Sequence, residues 1–150
     1  MLSGVRVEPY RPYHLQLMMA QGDIQEGQRG DLSYVPAGLA RVFRIPGQAM
    51  AVIENEDKVL LCGGIIPEGP TSGLMWAVLA KSAGRHMTFL HRGVLRFIDM
   101  QGLRRIEATV EKGFGEGCRW LALMGFKYEG DMEAFGVDGK DHERWARVRR

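Results

Sequence analysis

Residues 104–130 read RRIEATVEKGFGEGCRWLALMGFKYEG, and the changes of period within them decide the fold. Ile106, Ala108 and Val110 alternate with Glu107, Thr109 and Glu111, the period-two pattern of a strand with one covered face. Cys118, Leu121, Ala122 and Met124 then recur at helical spacing. Gly125 follows where helices commonly end on a left-handed residue. Phe126 and Tyr128 open a second period-two run. The stretch predicts a strand, a loop, a short helix and a strand.

Working outward, Val5 and Val7 suggest a first strand, ended by Pro9 and Pro12. Tyr13–Ala20 reads as a short helix with Leu15, Met18 and Met19 on its apolar side. Residues 21–38 are polar and glycine-rich, a loop with one helical turn at most, and residues 39–44 fit helix or strand equally. Gln48–Asn55 and Lys58–Pro67 read as strands joined at Glu56-Asp57, a link short enough for an antiparallel hairpin. Leu74–Leu79 is a buried strand by composition. Arg85–Met100 carries Met87, Leu90, Val94, Phe97 and Ile98 at helical spacing and stops at Gly102. The last hairpin pairs Lys127–Phe135 with His142–Val148 across Asp138-Gly139.

At 150 residues the chain is most simply one domain, long enough to bury a core. A net charge of +2 with no dense basic tract argues against a nucleic-acid partner. The four arginines between His142 and Arg150 read as a solvated strand and terminus. Cys62 and Cys118 show neither a pairing pattern nor a metal spacing, so both are expected as reduced core residues of a cytoplasmic protein. No apolar run approaches the roughly 20 residues of a membrane span, and Arg6, Glu8 and Arg11 interrupt any leader-like N-terminus. His14, His86, His91 and His142 match no metal-ligand spacing. Met18, Met19 and Met50 are candidates for a partner face, which leaves a homodimer open.

The short helix closed by Leu123-Met124-Gly125-Phe126 and followed at once by a strand resembles the C-terminal half of the GNAT acetyltransferases. The whole order of elements is similar to that family, most weakly over residues 21–44. The resemblance implies an α/β (α+β) domain over residues 1–150, with a mostly antiparallel sheet, a central splayed parallel strand pair and helices on both faces. Arg119-Trp120-Leu121, Tyr128-Glu129-Gly130 and Val137-Asp138-Gly139 further resemble GNAT-like proteins of tailed bacteriophages, some of whose relatives are internal virion proteins.

What the resemblance implies chemically is an acetyl-CoA cosubstrate and an amine acceptor of a protein, peptide or small molecule. Its pyrophosphate would meet backbone amides entering a helix, where unpaired donors favour an anion. The matching segment runs from Val78, Leu79 and Ala80 into Lys81, Ser82, Gly84, Arg85 and His86. The family pattern there is Gln or Arg, two residues, Gly, one residue, then Gly or Ala. His86 stands in place of the last small residue. The ordinary alternative is a strand-to-helix loop with Ser82 as N-cap.

For the proton taken from the amine, many members carry a tyrosine where this chain has Leu121. The helix-start asparagine is also replaced, within Phe114-Gly115-Glu116-Gly117. Some N-terminal acetyltransferases use a glutamate on the preceding strand, which corresponds to Glu107. A half-desolvated carboxylate is a suitable base. The alternative is that Glu107 faces solvent or an arginine such as Arg104. Asp141-His142, similar to a pair in some ribosomal-protein acetyltransferases, makes His142 a second catalytic candidate, or a surface residue beside a turn. Trp76 and Trp120 read as core, whereas Trp145 is placed to line an open side of the sheet. The rival to the enzyme is a non-catalytic virion or host-protein-binding module.

Overall fold

The computed structural model describes residues 4–24 and 49–150. The elements run β1 (Val5–Pro9), α1 (Pro12–Gln21), β2 (Ala49–Glu54), β3 (Lys58–Pro67) and β4 (Ser72–Leu79). A 3-10 turn (Lys81–His86) then leads into α2 (Met87–Met100), followed by β5 (Arg105–Glu111), α3 (Gly115–Leu123), β6 (Lys127–Met132) and β7 (His142–Val148). This is the order the residue patterns predict. What was expected beyond Ile24, residues 25–44 and the strand start at Gln48, lies outside the described residues.

The strands form one seven-stranded sheet in the order β1-β2-β3-β4-β5-β7-β6. β1 with β2, β2 with β3, β5 with β7 and β6 with β7 are antiparallel. β4 and β5 are parallel, pairing Ser72 with Arg105, Gly73 with Ile106 and Leu74 with Glu107. A helical crossover between two strands is what lets them run the same way. The parallel ladder stops there, although β4 continues to Leu79 and β5 to Glu111.

The chain divides into two compact units, Met1–Ile66 with Trp76–Arg85 and Pro67–Met75 with His86–Arg150. In the first, Tyr10, Leu15, Met18, Cys62, Val78 and Ala80 belong to one buried cluster, against which Trp76 packs. Pro12 opens α1, where an amide would have no intrahelical partner to lose, and Gly22 closes it at φ 66°. Leu15 and Met18, three residues apart, share the buried face of α1. Met18 therefore drops out of the candidate partner face. One further helical step turns Met19, expected on the apolar side, outward to 40% exposure.

In the second unit Ile106, Ala108 and Val110 are buried while Glu107, Thr109 and Glu111 are half-exposed, the alternation read from the sequence. The end of α3 has a specific physical form. Phe126 N–H donates to Leu121 O at 3.0 Å and Gly125 N–H to Ala122 O at 3.1 Å. This double bond pattern requires a left-handed residue, which Gly125 supplies at φ 90°, and the burial of Leu121 and Phe126 seals it. Phe126 thus belongs to the cap and not to a run with Tyr128, which is 52% exposed. The helix expected from Arg85 begins as α-helix only at Met87, because the preceding six residues wind as a 3-10 turn.

Candidate functional site

In the first unit, β4 ends in side chains that face inward. Val78, Leu79 and Ala80 are buried, so a ligand passing there would meet backbone. Ala80 N–H is already bonded to Leu60 O at 2.9 Å. From Lys81 the chain tightens, and Ala83 N–H donates to Ala80 O at 3.0 Å, the three-residue step of a 3-10 turn. A Cβ built on Gly84 would meet nothing within 4 Å, so the turn is open at that glycine. Arg85 pairs with Glu54 at 2.5 Å. His86, half-buried and already in the second unit, is the N-cap of α2 without a side-chain capping bond. Ser82 does not cap α2.

Ser82 instead points its hydroxyl at Asp23, 2.7 Å away. The same carboxylate oxygen, Oδ2, accepts Lys58 Nζ at 2.9 Å and Ser82 N–H at 3.3 Å. Lys81 N–H donates to the backbone carbonyl of Asp23 at 2.6 Å, and Ile24 bridges to Ala80. The hydrogen bonds from Lys58 and then Ser82 hold the Asp23 carboxyl down at about 2. No local sequence signal marks Asp23. It stands 59 residues before Ser82, and no spacing rule joins a loop aspartate to a serine that far away.

In the second unit, Glu107 is 17% exposed at its side chain and has both oxygens engaged. Oε2 accepts Arg105 Nε at 2.7 Å, and Oε1 accepts Nη1 of Arg144 on β7. Arg105 also forks onto Glu129, with Nη1 3.0 Å from Oε2 and Nη2 on the other oxygen. The four charges alternate as Arg144, Glu107, Arg105, Glu129. The Arg105 hydrogen bonds hold Glu129 below the usual carboxylate range, while Glu129 and then Glu107 push the guanidinium of Arg105 further up. The arginines beside Glu107 are therefore Arg105 and Arg144. Arg105 lies two residues back on the same strand face, where Arg104 would not.

His142 is 4% exposed, so it is not a surface residue. Its ring meets Phe135 edge-on at 5.5 Å, and Nδ1 lies 3.3 Å from Lys140 O. Because His142 pairs with Glu111, it stands about 13 Å along β5 from Glu107, at roughly 3.3 Å per residue. The two catalytic candidates are not brought together. Leu121 is buried and carries the α3 cap. Trp145 meets Tyr128 edge-on at 6.0 Å and donates its Nε1–H to Glu143 at 3.0 Å. Trp120 donates to His91 Nδ1 at 3.2 Å.

Cys62 is buried, which pushes its thiol up, and Cys118 lies 3.5 Å from Glu143. Among the described residues no three His, Cys, Asp or Glu are placed to hold a metal, and no helix is long and apolar enough to cross a membrane.

No protein-family model and no curated protein sequence matches the chain. Solved structures do. Ard1 from Thermoplasma volcanium superposes at a TM-score of 0.74 with 12% identity, covering 97% of each chain. The ribosomal-protein-S18-alanine N-acetyltransferase from Escherichia coli gives 0.73 at 8% identity, covering 96% of this chain and 93% of that one. A GNAT-family acetyltransferase from Streptococcus pneumoniae gives 0.67 at 14% identity, covering 96% and 98%. With the seven-stranded sheet, its parallel β4–β5 pair and the helices that follow them, the chain has the GNAT acetyltransferase fold.

Proposed function

We propose that this chain is an acetyl-CoA-dependent N-acetyltransferase acting on an amine of a protein or peptide. The observation that carries the reading is the turn Lys81–His86, which joins a parallel-paired strand to α2, is open at Gly84 and bears Lys81, Arg85 and His86. Its amides and cations suit the cosubstrate's pyrophosphate. The buried ends of Val78, Leu79 and Ala80 leave backbone for the pantetheine arm.

In the proposed reaction the neutral amine attacks the thioester carbon directly, and the C–S bond breaks to release the CoA thiolate. The nitrogen's extra proton passes to Glu107, directly or through a water, and a proton returns to the thiolate. Glu107 is the primary base candidate and His142 the second. The name of one structural neighbour, a ribosomal-protein-S18-alanine N-acetyltransferase, makes an alanine amine of a protein the first acceptor to try. Residues 1–150 are read as one acetyltransferase domain working in the cytoplasm or, where the resemblance to phage proteins holds, in a host cytoplasm or a virion.

A second reading, a non-catalytic GNAT-like virion or host-protein-binding module, is favoured by two observations. Both Glu107 oxygens are held by guanidinium groups, and a buried leucine, Leu121, stands where the resemblance implies a tyrosine. Thermal shift with acetyl-CoA, followed by transfer of labelled acetyl to a peptide library, separates the two. Binding stabilises the folded chain by mass action. A shift with turnover supports the enzyme, and a shift without turnover on any amine supports the binding module. No shift at all removes the cosubstrate.

A further inference from the structure

Three donors from two elements meet on one oxygen of Asp23: the Lys58 ammonium at 2.9 Å, the Ser82 hydroxyl at 2.7 Å and the Ser82 amide at 3.3 Å. An ammonium, a hydroxyl and a backbone N–H around one oxyanion are also the donors that a phosphate oxygen takes. The carboxylate is fixed from behind, since Lys81 N–H holds its backbone carbonyl at 2.6 Å and Ile24 is bridged to Ala80. In a 3-10 turn the later amides bond back three residues, as Ala83 does to Ala80. The first two amides of the turn both go to Asp23, Lys81 N–H to its backbone carbonyl and Ser82 N–H to its carboxylate.

We infer that Asp23 is a specificity-determining residue of the turn Lys81–His86. Its carboxylate is an internal anion on the donors an incoming pyrophosphate would use, so CoA binds in competition with the chain's own side chain. The inference rests on the acetyl-CoA reading of this turn and deepens it. Asn at position 23 keeps the shape and one acceptor but removes the charge. Ala removes the competitor altogether.

The test is titration calorimetry of the full chain with CoA and with pantetheine, which has the same thiol arm and no phosphate. Asp23→Asn and Asp23→Ala are expected to tighten CoA by about fivefold, the scale of one partly exposed like-charge contact. Pantetheine binding should not change. Adding Ser82→Ala to Asp23→Ala should cancel part of the gain. Melting curves without ligand check that each variant folds, and the Asn form carries the test if the Ala form does not. CoA binding that is equal or weaker in Asp23→Asn, or a parallel gain for pantetheine, overturns the inference and leaves the acetyl-CoA reading standing. CoA bound by no form overturns both.

Discussion

Arg144 donates its guanidinium to one oxygen of Glu107 while Arg105 holds the other. The carboxylate is thereby fixed in direction, as a positioned base must be, with one guanidinium donor on each oxygen. Glu107→Gln keeps the shape and removes the basicity. If Glu107 is the base, acetyl transfer should fall by about 10²–10⁴-fold. Turnover of the two forms on the same peptide would be compared, and equal rates would leave His142 as the next residue to replace.

Asp23 makes a pH prediction whose sign follows from its lowered value. Its carboxyl titrates at about 2 in the folded chain against an ordinary 3.8. The stabilisation is therefore complete above about pH 4 and is lost as pH falls through 2. The groups stand near the surface, so the amount is about 1 kcal/mol. Melting temperature followed from pH 5 to pH 2 should show a shallower acid limb in Asp23→Asn than in the unmodified chain. Identical limbs would mean that the pairing with Lys58 and Ser82 does not hold in solution.

Gly125 is predicted to be the most sensitive glycine of the α3–β6 corner. It holds φ 90° between two buried residues, and a Cβ there would approach Arg147 Nε at 3.4 Å. A β-branched residue in that backbone region costs about 1–3 kcal/mol. For a chain of this size the expected fall in Tm for Gly125→Val is roughly 2–4 °C per kcal/mol. An unchanged melting curve would show that the cap is not formed as described.

His86 stands at the N-cap of α2, next to the open Gly84 turn, where the GNAT resemblance implies a small residue. His86→Gly should tighten acetyl-CoA if the imidazole crowds the phosphates. The measured quantity is the dissociation constant by calorimetry. Tighter binding in Asp23→Asn with no change in His86→Gly would assign the weakness to charge and not to bulk.

The local devices of this fold were legible in residues 104–130. Alternation gave the buried face of β5, the helical spacing gave α3, and Leu-Met-Gly-Phe gave a cap whose bonds all close within six residues. Such features are read over one pleat or one turn, where backbone geometry ties sequence spacing to direction in space. The candidate site was legible only as a list of residues. Tertiary structure decided that Asp23 reaches Ser82 across 59 positions, and that the β5–β7 register sets Arg144 opposite Thr109, one pleat diagonal to Glu107. It also buried His142 and wound residues 81–86 into a 3-10 turn. A charged side chain takes its partner from whatever strand lies beside it, and strand neighbours are set by the packing of the whole sheet, not by any spacing within one segment.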